Sequence, residues 1–247
     1  MRKTTGITAI SVLSLALGTG WTYAQQPVSA APAPAPGAIG AAAPPELLFR
    51  VTLENTTRQA LGPEAITNPN LKLQYYGDGR NILVAVGRSE YDPHLFDGLC
   101  EKPCGLALQD KNNYFDLTGK AKIKWTTIVS GFHRVRPLIK LADGTLLVGD
   151  QADGSVADWQ QSEVSISEVR WLKLDPARGV TLGQWVEKPN LSKVDEVGFF
   201  DVIPGSGAHI EGVPVAKLPA PPPGGWVAVA AFELWGKPVN RETKLSQ

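Results

Sequence analysis

The stretch Lys120-Ala121-Lys122-Ile123-Lys124-Trp125 decides the fold class. Lysine occupies every second position, and Ala121, Ile123 and Trp125 take the positions between. Successive side chains of a β-strand point to opposite faces, so one face of this segment is exposed to solvent and the other is buried. The pattern predicts a strand of an antiparallel sheet with one face on a core.

The rest of this region also consists of short, strand-like runs separated by turn residues. Asp143-Gly144 separates two apolar runs and is a strong signal for a tight hairpin between antiparallel strands. Gly, Pro, Asn and Asp break the chain every 8 to 15 residues, and no stretch keeps a capped helical period. An all-β, antiparallel β-sandwich of the jelly-roll type is therefore predicted. Its strands are expected at residues 47–53, 71–76, 81–86, 105–109, 121–129, 136–141, 145–149, 169–174, 181–186, 194–202 and 226–235.

The N-terminal part has a different composition. Residues 1–24 combine Arg2 and Lys3, an apolar run and a small-residue site ending at Ala24, which is typical of a cleaved signal peptide; retention as an N-terminal anchor is the alternative. Residues 25–46 are an Ala/Pro-rich linker predicted to be disordered, residues 47–240 the sandwich, and residues 241–247 a C-terminal tail. The mature protein is expected to be periplasmic or secreted, without membrane insertion.

Charge argues against some classes of partner. The chain has 24 basic and 24 acidic residues. Removing Arg2 and Lys3 with the signal leaves 22 basic against 24 acidic residues. Such a balance favours neither nucleic acid nor an anionic membrane as a partner.

Cys100 and Cys104 are the only two cysteines, and they are separated by three residues. In an oxidising compartment a close, isolated pair forms a disulfide. The spacing does not match haem attachment, and the soft partners that a zinc site needs are not nearby. A redox-active pair is the remaining alternative.

Three segments carry a family resemblance. Tyr114-Phe115-Asp116-Leu117-Thr118-Gly119 precedes the lysine strand, residues 191–199 read Leu-Ser-Lys-Val-Asp-Glu-Val-Gly-Phe, and residues 232–236 read Phe-Glu-Leu-Trp-Gly. Residues 113–236 thereby resemble galactose-binding-like jelly rolls, which include carbohydrate-binding modules and the complex I intermediate-associated type. The chain is also similar to secreted bacterial proteins grouped loosely with glycoside hydrolases. The resemblance implies a jelly roll that binds a carbohydrate.

Trp159 is the candidate stacking platform for a sugar ring. Trp125 and Trp171 lie in mid-strand and are expected in the core, whereas Trp159 falls outside any clear strand pattern and is expected to be exposed. Planar side chains stack on the apolar C–H faces of sugars, and neighbouring polar groups bind the hydroxyls. The predicted ligand-binding residues are Trp159, Asp158, Gln160, Tyr91, Asp92 and His94.

Asp150, Asp153 and Asp158 form an oxygen-rich loop suited to calcium, although it lacks the final acid of an EF-hand. Structural calcium is common in the resembled class, so this loop is a candidate metal site; turn formation by Asp-Gly is the alternative explanation. No other cofactor is expected.

Two further sets could support other chemistry. Glu90, Asp92 and His94 could hold an ion, or the two acids could act as a glycosidase pair, but Pro93 interrupts the alternation and a third acid is missing. Asp201, Ser206 and His209 contain the residue types of a hydrolase triad without a Gly-x-Ser-x-Gly elbow.

The sequence therefore predicts an exported, non-catalytic carbohydrate-binding protein, or one that binds a similar polar small molecule. A glycan-active hydrolase with a concanavalin-like sandwich and a structural module of the cell envelope are the alternatives. Whether the chain is an enzyme is left open, with catalysis the less favoured interpretation.

Overall fold

The computed structural model describes residues 43–53, 57–87, 89–203 and 224–241. All of them fall in one compact unit, Ala42–Gln247. The predictions made for the signal peptide, for residues 25–42 of the linker, for Ser206 and His209, and for the tail beyond residue 241 lie outside this part of the chain.

Strands dominate the described residues, and the helical elements there are three single turns of 3-10 helix. No helix in the same ranges has the length and apolar character needed to cross a membrane. The strands up to the lysine stretch are β1 Glu46–Val51, β2 Gln59–Ala60, β3 Leu71–Gly77, β4 Leu83–Ala85, β5 His94–Phe96, β6 Cys104–Asp110, β7 Asn113–Asp116 and β8 Lys122–Ser130. Those that follow are β9 Val135–Leu141, β10 Leu146–Gly149, β11 Gln160–Ser165, β12 Trp171–Asp175, β13 Val180–Val186, β14 Val194–Asp201 and β15 Trp226–Asn240.

The strands form two layers. Every pair of neighbouring strands within these layers is antiparallel. The first sheet has the order β11-β8-β15, with β1 and β5 sharing the far edge of β15 and β4 and β2 beyond β5. The second sheet has the order β13-β12-β10-β9-β14-β6-β3. The end of β15 pairs with β7, which also touches β14, so β15 joins the layers. The prediction of an all-β antiparallel sandwich is confirmed.

The lysine stretch behaves as its alternation predicts. Ile123 and Trp125 are 0% and 2% exposed and belong to the main core between the two sheets. Lys122 and Lys124 point to the outer face of the first sheet, where both form ion pairs. Trp171, the other tryptophan expected in the core, is 1% exposed.

The Asp143-Gly144 hairpin is also confirmed. Residues of β9 and β10 pair antiparallel, with Leu147 opposite Ile139. Gly144 has a φ of 87°, a left-handed conformation that glycine adopts without steric cost. The carboxylate of Asp143 accepts the N–H of Thr145 at 2.8 Å and stabilises the turn.

Each of the eleven predicted strands coincides with an observed one, with ends that differ by a few residues. The sequence did not predict β2, β5, β7 and β11. These four are short or largely polar, and they are strands because longer neighbours pair with them.

Cys100 and Cys104 form the predicted disulfide. Reducing and alkylating it should lower the free energy of unfolding by about 2 kcal/mol or less, because a loop this short removes little entropy from the unfolded chain. A thermal melt with and without reductant measures this effect. Loss of cooperative unfolding after reduction would contradict the prediction.

Candidate functional site

The predicted ligand-binding residues gather at one end of the outer face of the first sheet. Tyr91 lies in the loop before β5, His94 begins β5, and Trp159 directly precedes β11. The ring centroids of Tyr91 and Trp159 are 5.2 Å apart, and those of His94 and Trp159 are 5.3 Å apart. We call these three side chains the aromatic cluster. Segments almost 70 residues apart in sequence thus meet at one surface.

Asp92 fixes the orientation of His94. Its Oδ1 lies 2.8 Å from His94 Nδ1, and its Oδ2 accepts the N–H groups of Gly87 and Ser89 at 2.9 Å. Burial lowers the pKa of His94, while the hydrogen bond and the charge of Asp92 act in the opposite direction. A neutral imidazole donating Nδ1–H to Asp92 satisfies both groups. Asp92 therefore holds His94 against Trp159.

An apolar floor supports the aromatic cluster. Phe96 and Ala228 are buried on the outer face of the first sheet, with Ile128, Trp226 and Trp159 packed against them. The rings of Phe96 and Trp226 are 5.6 Å apart. Trp159 is consequently half-buried, because one part of its indole rests on this floor. The platform is set into the surface, which differs from the exposed side chain expected outside any strand.

A polar groove adjoins the aromatic cluster. It encloses about 560 Å³ and shares Tyr91 with the cluster. Its walls come from β1, β8, β11 and β15. The lining residues are Arg50, Lys124, Trp125, Thr126, Gln161, Ser162, Glu163, Ala231 and Glu233, together with Tyr91.

Ion pairs hold the two carboxylates of the groove. Arg50 contacts Glu233 at 2.5 Å, and the indole N–H of Trp235 donates to Glu233 at 3.0 Å. Lys122 and Lys124 contact Glu163 at 3.1 and 3.2 Å. The hydrogen bond from Lys122 is the main cause of the lowered pKa of Glu163. Glu163 is thus an ionised acceptor near neutral pH.

Asp158 and Gln160 lie beside Trp159 and are exposed. Asp158 accepts the N–H of Trp159 at 2.7 Å, and Gln160 donates its side-chain amide to Ser162 at 3.2 Å. The groove contains the next residue, Gln161.

The structure does not gather the proposed calcium ligands. Asp150 pairs with Arg170 at 2.7 Å, and Asp153 accepts the indole N–H of Trp125 at 2.8 Å. No three His, Cys, Asp or Glu side chains are grouped to hold a metal within the described ranges. That result covers both the Asp150, Asp153 and Asp158 set and the Glu90, Asp92 and His94 set. The observed contacts of Asp150 and Asp153 join this loop to Arg170 and to Trp125 of β8.

The outer face of the second sheet carries a separate polar group. Lys140 contacts Glu196 at 2.8 Å, and the hydroxyl of Tyr76 donates to the same carboxylate. Burial, followed by the hydrogen bond to Glu196, raises the pKa of Tyr76. Glu196 is 1% exposed, so its carboxylate is closed to a ligand. Gly179, in the β12–β13 turn, lies against the ring of buried Phe200 on this face.

Asp201, the acid of the suggested triad, is hydrogen-bonded to His133. Its Oδ2 is hydrogen-bonded to Nδ1 of His133, and both side chains are buried. His133 was not among the candidate residues. A lone histidine in a Gly-Phe-His-Arg stretch carries no local signal for this contact.

Comparison with known proteins gives structural neighbours only. No family model and no curated protein matches the chain. A family 11 carbohydrate-binding module of a cellulosomal cellulase of Clostridium thermocellum has a TM-score of 0.39 at 11% identity, covering 82% of this chain and 100% of its own. The module TmCBM61, solved with β-1,4-galactotriose, has a TM-score of 0.35 at 8% identity, covering 67% and 88%.

A catalytic domain is also among the neighbours. The endo-1,3-β-glucanase (laminarinase) domain of Thermotoga petrophila has a TM-score of 0.34 at 8% identity, covering 78% of this chain and 98% of its own. Binding modules and a hydrolase thus occur at similar scores. Likenesses this weak do not assign a function to the chain.

Proposed function

We propose that this protein is an exported, non-catalytic module that binds a carbohydrate on the outer face of its first sheet. The observation that carries the proposal is the aromatic cluster beside the polar groove. Tyr91, His94 and Trp159 supply ring surface, and the groove that begins at Tyr91 supplies side-chain donors and acceptors.

This arrangement suits a sugar because a sugar ring has two kinds of surface. Its apolar C–H face stacks on an aromatic ring, and its hydroxyls need partners that both donate and accept. Arg50 and Lys124 donate, Glu163 and Glu233 accept, and Gln161 does both. Ion pairs and strand pairing hold these groups in place, so little entropy is lost when a ligand binds.

Binding without turnover is supported by the state of Glu163. A glycosidase needs one carboxylic acid that stays protonated, which requires a raised pKa. The pKa of Glu163 is lowered by Lys122 and Lys124. Glu233 is held by Arg50 and Trp235. Export is supported by the N-terminal segment and by the disulfide, a bond that persists in oxidising compartments.

Replacing Trp159 with alanine should weaken glycan binding at least tenfold, about 1.4 kcal/mol. The measurement is screening of the wild type on a glycan array, followed by titration calorimetry with the retained glycan. Because Trp159 is half-buried, the variant should lose about 1–2 kcal/mol of stability, less than the roughly 3–5 kcal/mol of a fully buried Trp.

Trp185→Ala is the matched control, because Trp185 is 49% exposed on β13 of the second sheet, outside the groove lining. Its affinity should equal that of the wild type. Equal loss in both variants, or no glycan bound by the wild type, would contradict the proposal. Release of reducing sugar from the bound glycan would favour the hydrolase alternative.

A further inference from the structure

A cluster of buried ionisable groups lies behind the aromatic floor. Asp97 follows β5, Asp201 ends β14, and His133 lies in the β8–β9 loop. Their exposures are 4%, 2% and 3%. The groove and the aromatic cluster use none of these three side chains.

Asp97 connects β5 to β15 through the backbone. Its N–H donates to the carbonyl of Val227 at 3.1 Å, and its Oδ1 accepts the N–H of Val227 at 2.6 Å. Its carbonyl accepts the N–H of Cys100 at 2.8 Å. The other carboxyl oxygen, Oδ2, is buried and has no hydrogen-bond partner among the described residues. Half of this carboxyl group is therefore left without the partners that an ionised oxygen needs.

His133, the only side chain of the three that can donate a hydrogen bond from nitrogen, is already paired with Asp201. His133 Nδ1 is hydrogen-bonded to Asp201 Oδ2, and the N–H of Ile203 donates to Asp201 Oδ1 at 2.9 Å. His133 Nε2 is buried and has no hydrogen-bond partner among the described residues. Within the described residues, a negative charge on Asp97 would thus lie beside Asp201 with no Lys or Arg to balance it, which is a costly arrangement.

The position of Asp97 links this cluster to the proposed binding face. Phe96 immediately precedes Asp97, and Trp226 immediately precedes Val227. The two hydrogen bonds between Asp97 and Val227 therefore lie directly beside the contact between Phe96 and Trp226, on which Trp159 rests. Disturbing the junction of β5 and β15 would loosen the floor of the aromatic cluster.

We propose that Asp97 is a positioning residue of the glycan-binding face and that it acts in its neutral, protonated form. The inference rests on the proposed function. Ionisation of Asp97 places a charge against Asp201 and breaks the packing of Phe96 and Trp226. Glycan affinity is then lost as rising pH ionises Asp97.

The direction of the pH effect follows from the surroundings of Asp97. Burial, and after it the charge of Asp201, raises the pKa of Asp97 well above its usual range, and the N–H of Val227 opposes this. In the unfolded chain the group titrates near the ordinary value of about 3.9. The contribution of protonated Asp97 to the free energy of unfolding is complete below that value and is lost as the pH rises through the raised pKa. Among the described residues, Asp201 is the ionisable group that acts on Asp97, and Asp201 is in turn hydrogen-bonded to His133. β15 contributes the backbone N–H of Val227, and Cys100 and Cys104 are disulfide-bonded.

Asp97→Asn tests the proposal, because asparagine has the shape of the protonated acid and cannot ionise. Unfolding by denaturant and glycan affinity are measured in parallel from about pH 6 to pH 9, a range in which ordinary carboxyls, tyrosines and lysines change their charge little. Wild-type stability should fall with rising pH while Asp97 is still protonated in the folded protein. The affinity should fall by about fivefold or more, roughly 1 kcal/mol, once the pH passes the raised pKa. The variant should vary by less than about twofold over the same range.

Asp143→Asn is the matched control, since this exposed aspartate lies in the β9–β10 turn and should leave the wild-type profile intact. If Asp97→Asn does not fold, the infrared spectrum of the wild type takes its place. A protonated carboxylic acid band at neutral pH that disappears over the pH range in which the glycan affinity falls supports the proposal, and its absence overturns it.

Two outcomes separate this inference from the proposed function. Identical pH profiles of wild type and Asp97→Asn would overturn protonation of Asp97 while leaving glycan binding in place. A stability profile that depends on Asp97, with an affinity that does not, would overturn its positioning role. If no glycan binds at any pH, the proposed function fails, and the unfolding profile still decides whether Asp97 is protonated.

Discussion

Replacing Trp125 with alanine should lower the free energy of unfolding by about 3–5 kcal/mol, the range for a buried Trp truncated to Ala. Trp125 is 2% exposed in the centre of β8, and its ring lies 6.2 Å from that of Phe232 on β15. Its indole N–H also donates to Asp153 at 2.8 Å. The alanine variant loses the apolar contact, leaves a cavity and removes a partner of Asp153.

Trp125→Phe separates packing from hydrogen bonding in this prediction. Phenylalanine keeps much of the apolar volume and loses the N–H, so about 1–2 kcal/mol should be lost. Denaturant unfolding of both variants provides the measurement. A loss below about 1 kcal/mol in the alanine variant would show that Trp125 does not anchor the core between the sheets.

Gly198→Ala should cost about 3 kcal/mol or more, at the upper end for an overpacked interior. A Cβ at this position of β14 would come within 1.9 Å of the carbonyl oxygen of Leu106 and 2.5 Å of Cα of Ala107. Both atoms belong to the backbone of β6, which pairs with β14 at this register. The backbone of a central strand cannot move aside as a flexible side chain can, so the two strands must separate.

Gly154→Ala is the control for this substitution. The nearest atom to a Cβ there is Nη1 of Arg134 at 3.2 Å, the mobile end of a long side chain. Its melting temperature should stay near that of the wild type, while Gly198→Ala melts far lower or fails to accumulate as folded protein. Equal melting temperatures would mean that β14 and β6 do not approach as closely as described.

Local pattern was sufficient for the long strands. In β8 the alternation of lysine with Ile123 and Trp125 already predicted which face is buried, and Asp143-Gly144 predicted the hairpin. β11 could not be predicted in this way. Its sequence, Gln160-Gln161-Ser162-Glu163-Val164-Ser165, has one apolar residue, and it is a strand because all six of its residues pair with β8.

In the candidate site, too, local sequence predicted some features and only the pairing and packing of strands decided the others. Tyr91, His94 and Trp159 were recognised by residue type, but nothing in their local sequence indicated that their rings meet. Arg50 and Glu233 were not recognised at all, because each is an ordinary charged residue on the outward side of a strand until β1 and β15 pair. Trp159 was expected to be exposed and is half-buried, since Phe96 and Trp226 form a floor under it.

By itself, the sequence determined the all-β class, the alternation of buried and exposed positions in β8, the tight turn at Gly144 and the cysteine pairing. These depend on neighbours within a few residues, where side-chain period, glycine conformation and loop length act directly. Only the tertiary structure decided which outer face carries the groove and that Asp97 is buried beside Asp201. Such contacts join strands about 100 residues apart, and their energy comes from burial and charge proximity, which exist only once the two sheets have packed.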